Sequence, residues 1–260
     1  MGSLCLIAAA VSPFFVEFTP EVRTTYQSLG KLVEDRPMQV TSLKFGWDSG
    51  SFGRIGVRNW DVSSLTDRRS DVHRHALYHT EFGPIWGYDW EFAEGWKLKS
   101  ELTRSWVLYR GFEKSDGNKT YHYWQIEQSL ENPYVVPFYR FRRSIRTSDY
   151  LYFKLGLRRK FPVWSELSVT PSVFVEGGNA RNQKRVFGER PGGKDWSDGV
   201  SSISFRLEAA WRFNANFSVF AAVEQYWVLG EAERDANAAS SYCAAHNEWF
   251  HAAFGVRLKF

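Results

Sequence analysis

The feature that most constrains this chain is the period of its hydrophobicity. Apolar residues recur at every second position over long segments, and helical spacing is sustained nowhere over a useful length. In the last segment Phe250, Ala252, Phe254, Val256, Leu258 and Phe260 alternate with His251, Ala253, Gly255, Arg257 and Lys259. From 202 to 213 Ile203, Phe205, Leu207, Ala209, Trp211 and Phe213 likewise alternate with Ser, Arg, Glu and Ala. A period of two puts successive side chains on opposite faces of a strand. The chain is therefore predicted to be all-β, with sheets that have one apolar and one polar face. Turn signals divide it into about twelve such segments. The first runs from Phe14 to Ser28, the eighth from Tyr150 to Phe161 and the last from Glu248 to Phe260. No shift in composition marks a second domain, so 13–260 is expected to be one unit.

Period alone does not separate a soluble barrel from a membrane one, but three further features do. Most segments are about 12 to 15 residues long, whereas soluble strands cluster near 5 to 6 and a spanning strand needs about 9 to 11. The connections alternate. Short links fall at Asp48 to Ser51, Ala93 to Gly95, Glu131 to Pro133, Pro162 to Val163 and Asn214 to Asn216, while long ones fall at Thr66 to His75, Gly177 to Gly199 and Gly230 to Asn247. Only Thr147 to Asp149 is a short link on the long-loop side. The third feature is a 17% aromatic content, with 12 Trp, 12 Tyr and 21 Phe, which is more than a core requires. Many of these rings, such as Trp86, Trp90, Trp96, Trp164, Trp211 and Trp249, sit near segment ends, as in the girdles at the two water interfaces of a membrane barrel. Mean hydropathy is nevertheless −0.41, because polar inner-face residues cancel apolar outer-face ones. A spanning helix is excluded, since the longest uncharged run, Met1 to Val16, contains Pro13 and falls short of the required length. The fold expected is a transmembrane up-and-down antiparallel β-barrel of about twelve strands, with short periplasmic turns and longer extracellular loops.

The closing segment EWFHAAFGVRLKF, alternating and ending on the aromatic Phe260, resembles the terminal strand by which Gram-negative outer-membrane barrels are recognised for assembly. The whole pattern is similar to that of small porin-like proteins. The resemblance implies a cell outer-membrane location, Phe260 as the assembly signal, and outer-membrane lipids, lipopolysaccharide and the barrel-assembly machinery as partners. Residues 1–12, with the apolar run LCLIAAAV and an A-x-A-like site but no preceding base, read as a signal-peptide remnant or as the approach to the first strand.

If the apolar face meets lipid, the other face lines the interior. The basic side chains expected there are Arg140, Arg142, Lys154 and Arg158 on strands seven and eight, and Arg206 and Arg212 on strand ten. The acidic ones are Glu81, Asp89, Glu101 and Glu127 on strands four to six. This distribution predicts a basic and an acidic arc on different walls, with a field across a narrow water-filled lumen. The alternative is an interior closed by salt bridges. Arg143 and Arg159 point outward near strand ends, where head groups are in reach. Outward Arg104, Asn59 and Asp61 fit the lipid face poorly and suggest a bulge or a register irregularity.

Other chemistries are less well supported. Asp71, His73, His75 and His79 have a spacing that suits zinc or copper, but Cys243 is the sole cysteine outside the apolar start and no second set of ligands is evident, so no metal or cofactor is expected. A lipid hydrolase or deacylase needs an activated nucleophile at the lipid-facing rim. His122 points outward but the neighbouring Ser105 points inward, His251 faces Glu224 inside, and no G-x-S-x-G occurs. The charge balance of 33 basic to 29 acidic residues is interleaved and shows no nucleic-acid-binding run. The expected function is passive diffusion of small hydrophilic solutes, with anions as one candidate class and a lipid-modifying enzyme or a structural, adhesive barrel as the alternatives.

Overall fold

The computed structural model describes residues 13–28, 31–34, 36–65, 78–110, 120–145, 149–238 and 247–260. The suggested signal remnant, Asp71, His73, His75 and Cys243 lie outside the described residues. Twelve antiparallel strands form one wall: β1 (Phe14–Arg23), β2 (Met38–Asp48), β3 (Arg54–Ser64), β4 (Tyr78–Ala93), β5 (Trp96–Arg110), β6 (Thr120–Glu131), β7 (Val136–Ile145), β8 (Leu151–Arg158), β9 (Leu167–Gly178), β10 (Gly199–Arg212), β11 (Phe217–Val228) and β12 (Glu248–Lys259). Each pairs with its neighbours in sequence, and β1 pairs with β12, so the sheet closes into a barrel without a free edge. Among the described residues no helix is long and apolar enough to cross a membrane.

The short turns gather at one rim and have local causes. Gly95 takes φ +72 between β4 and β5, a left-handed conformation that a side chain would disfavour. Asn132 and Asn214 each accept hydrogen bonds from the N–H groups two and three residues ahead, folding the chain back within a few residues. The chain ends of β1 and β12 meet at the same rim, where Val16 and Phe260 exchange backbone hydrogen bonds of 2.8 and 2.9 Å. Two segments are shorter than their hydrophobic pattern. β1 stops at Arg23, and Tyr26–Ser28 instead pairs with Lys31–Glu34 in a separate hairpin. β8 stops at Arg158, and Phe161–Pro162 pairs only with β9. Pro162 has no N–H to continue a central ladder.

Burial follows parity. On β12 Phe250 and Phe254 are exposed while Trp249, His251 and Ala253 are buried. Large apolar side chains stand outward around the wall, including Phe45, Trp47, Trp86, Trp90, Leu155, Leu157, Phe205 and Trp211. A belt this continuous is not tolerated in water and places the barrel in a bilayer. Trp249 departs from the girdle expectation: it points inward and stacks on Tyr226 with ring centroids 4.0 Å apart.

The ladders through Asn59 and Asp61 run without a shift, so no irregularity occurs there, whereas the ladder between β4 and β5 keeps its register but is interrupted opposite Arg104, where Gly83 and Pro84 are left out of the pairing. Asn59, Asp61 and Arg104 do face outward. Asn59 and Thr80 both donate to the Asp61 carboxylate, Thr80 at 2.7 Å, so the polar groups satisfy one another.

At the long-loop rim two short helices, α1 (Ala180–Phe187) and α2 (Glu231–Ala238), fold over the β9–β12 side. Asn179 caps α1 by accepting from the Asn182 N–H at 3.0 Å, and Gly188 ends it at φ +82. Val186, Phe187, Trp196 and Ala236 then pack on inward-facing Tyr226, Val228 and Trp249 as one buried apolar cluster. The long segment after β9 thus lies across part of the mouth.

Candidate functional site

Below this cluster the interior holds a cavity of about 780 Å³, reaching from Glu21, His251 and Glu176 on the long-loop side to Lys160 and Lys259 near the short turns. Its shape depends on where the wall lacks side chains. A Cβ on inward Gly156 would come within 2.5 Å of the Phe138 ring and 2.7 Å of the Phe174 Cβ, so the missing side chain makes room for these two residues, whose rings meet edge to face. Eleven basic and six acidic side chains line the cavity.

Of the residues singled out in the sequence, Arg140, Arg142, Lys154, Arg158, Arg206 and Glu81 line this cavity. Asp89, Glu101 and Glu127 face an adjoining recess of about 220 Å³, together with Arg54 and Lys99. Arg212 stands apart, with Lys160 and Lys259 in a cleft of about 440 Å³ at the short-turn rim. Phe260 is two-thirds exposed at that rim. His79 is buried inside β4 and lies 3.0 Å from Glu81. Among the described residues no group of three potential metal ligands gathers. Ser105 and His122 sit on adjacent strands but on opposite faces of the wall, so they do not form a nucleophile and base pair.

The two opposed arcs are replaced by pairs. Arg140 bonds Glu127 at 2.8 Å, Arg158 bonds Glu131 at 2.8 Å, Lys154 bonds Glu176 at 3.2 Å and Arg206 reaches Glu208 at 3.1 Å. Arg142 lies 3.6 Å from Glu81 and Arg257 2.8 Å from Glu208. The basic wall carries its own acids, Glu176, Glu208 and Glu224, and the acids of β4, β5 and β6 meet bases on other strands: Glu81 with Arg142 of β7, Asp89 with Arg54 of β3, Glu101 with Lys44 of β2 and Glu127 with Arg140 of β7. Pairing cancels the transverse field locally. The charge that remains belongs to bases without a carboxylate partner: among the described residues no ion pair ties Arg58, Lys99 or Lys160, all of which face the cavity.

Arg58 and Lys99 were not evident as interior residues. Outward Ile55 and Val57 would have put Arg54 and Arg58 inside by parity, but polar Asn59 and Asp61 on the same outward row obscured the face of β3.

The upper interior differs in chemistry. Tyr123, Gln125, Ser144, Tyr150, Ser202 and Ser204 are buried there; Tyr123 donates to the Glu81 carboxylate, and Tyr226 donates to Ser202. Arg142 donates to Gln125 at 3.0 Å and lies over the Tyr123 ring at 3.9 Å. Tyr150, in the link between β7 and β8, is fully buried, and burial pushes its phenol above the ordinary range.

No protein-family model and no curated protein matches this chain. Solved structures do. LpxR from Salmonella typhimurium superposes with a TM-score of 0.52 at 8% identity, covering 93% of this chain and 99% of LpxR. The KdgM porin in complex with disordered oligogalacturonate gives 0.50 at 8% identity over 95% of this chain and 99% of KdgM. The fold is that of an outer-membrane β-barrel. Outer membrane phospholipase A from Escherichia coli is also similar, at 0.46 and 14% identity, over 95% and 92% of the two chains. In this barrel the short turns form the periplasmic rim and the loops with α1 and α2 the extracellular one.

Proposed function

We propose that the barrel is a narrow channel through which small anionic solutes diffuse passively across the outer membrane. The observation that carries this reading is the lumen itself: a cavity of about 780 Å³ with eleven bases against six acids, in which the acids are bonded to bases and the surplus charge is positive. A lined polar passage with excess positive charge raises the local concentration of anions and lowers that of cations. The likeness to a porin captured with oligogalacturonate, an acidic sugar chain, supports the same solute class.

Paired Arg140 and Arg158 contribute little net field, so selectivity falls to Arg58, Lys99 and Lys160. Single-channel recording in planar bilayers tests this. Wild-type barrel should give a small ohmic conductance, with a reversal potential under a salt gradient that shows anion preference. Lys99→Glu together with Lys160→Glu should move that potential toward the cation side, whereas Arg140→Gln with Glu127→Gln should leave it nearly unchanged. No ohmic conductance at any salt concentration would remove the channel while leaving the barrel.

A further inference from the structure

The lipid-facing wall carries a basic site that a passive channel does not use. On the outward faces of β5, β6 and β7, Arg104 stands opposite Trp124, Trp124 opposite Arg143, and Trp106 opposite His122. The guanidinium carbon of Arg104 lies 5.1 Å from the Trp106 ring centre and 5.6 Å from that of Trp124. Trp106 is itself held by Phe82, stacked at 5.5 Å, and by the edge of His122 at 6.1 Å. Arg104 makes no ion pair among the described residues, and its Nε is buried with no hydrogen-bond partner, as is Nδ1 of His122. Of the exposed carboxylates around this face, Asp61, two strands away, already takes two hydrogen bonds, and Asp149 is held by Arg143 and Arg181. A cation is thus fixed between two indole planes, in a site that lacks an anion.

Depth identifies the anion. A strand tilted by about 40° climbs roughly 2.6 Å per residue along the membrane normal. Arg104 is eight residues above Trp96 at the periplasmic end of β5, which puts it roughly 21 Å up an apolar band of about 25 Å. Its side chain therefore reaches the outer head groups, and it opens sideways beside Ile126 and Phe141, which lie opposite each other on the outward faces of β6 and β7. A guanidinium fork oriented by aromatic planes is matched to phosphate oxygens. A free ion would have to leave water to enter this site, whereas a lipid brings its phosphate with its acyl chains against the apolar wall.

We propose that the outward face of β5–β7 binds the phosphorylated head group of an outer-leaflet lipid, with Arg104 as the clamp and Trp106, Trp124 and His122 as its frame. The test uses the refolded barrel in uncharged maltoside micelles, with bound lipid counted by native mass spectrometry. Diphosphorylated lipid A should be retained at a concentration at least about tenfold lower than the same lipid A stripped of phosphate, the fold-change expected for one hydrogen-bonded charge pair. Arg104→Gln should abolish that preference and Arg104→Lys should keep part of it, and excess inorganic phosphate should leave the lipid bound. Equal retention of the two lipids by the wild-type barrel would overturn the proposal without recourse to any variant. So would an unchanged preference in folded Arg104→Gln, or displacement of the lipid by inorganic phosphate.

Discussion

The two ends of the lumen solve the same problem in different ways. Near the extracellular rim, buried polar side chains converge on one carboxylate: Tyr123 donates to Glu81, His79 lies 3.0 Å and Arg142 3.6 Å from it, and an apolar cap of α1, α2, Tyr226 and Trp249 lies above the β9–β12 side. Near the periplasmic rim the same residue types stand in partly solvated pairs such as Arg158 and Glu131. An unsatisfied group costs far more in a dry interior than in a wet one. The upper lumen therefore holds the structure, and the lower lumen is free to be tuned.

That contrast can be broken by experiment. Glu81→Leu strands Arg142 in a buried site and should destabilise the barrel by about 3–5 kcal/mol, read as a lower urea midpoint in a micelle refolding titration. A cost below about 1 kcal/mol would erase the distinction between the two ends. Phe187→Ala removes a buried ring from the cap and should cost up to about 3 kcal/mol, confined to local opening of α1. It should appear as faster proteolytic nicking within 180–198 and a larger single-channel conductance, with the urea midpoint of the wall little changed. Glu131→Gln, at a half-exposed pair, should change stability by less than about 1 kcal/mol.

Most of the wall was legible because the side-chain period of a strand is independent of its partners. Ile203, Phe205 and Leu207 declare one face wherever β10 lies in the sheet. Ion pairing was not legible in this way. Whether Arg140 meets Glu127 depends on the stagger between β6 and β7, which is set by the turn at Asn132 and is not written in either strand's alternation. The cap was hidden for another reason: α1 and α2 have eight residues each, too few for a helical period to stand out. Asn179 and Gly188, a cap residue and a terminating glycine nine positions apart, were the available signal. Arg104 looked like a misfit in sequence because its frame comes from two strands, Trp106 on its own and Trp124 on the next.

The seam between β1 and β12 has a consequence for how the wall is made. It joins residues as far apart as Val16 and Phe260, which lie near opposite ends of the described chain. Every other strand meets a neighbour that is local in sequence, so hairpins can assemble in any order, but the ring is sealed only by this most distant pairing. Loop-closure entropy makes such a contact slow to form. Until it forms, β1 and β12 present two unsatisfied edges inside or beside a membrane, where open edges are least tolerated. The step that limits maturation of this barrel is thus expected to be the meeting of its ends, and weakening that seam should slow insertion more than it lowers the stability of the finished ring.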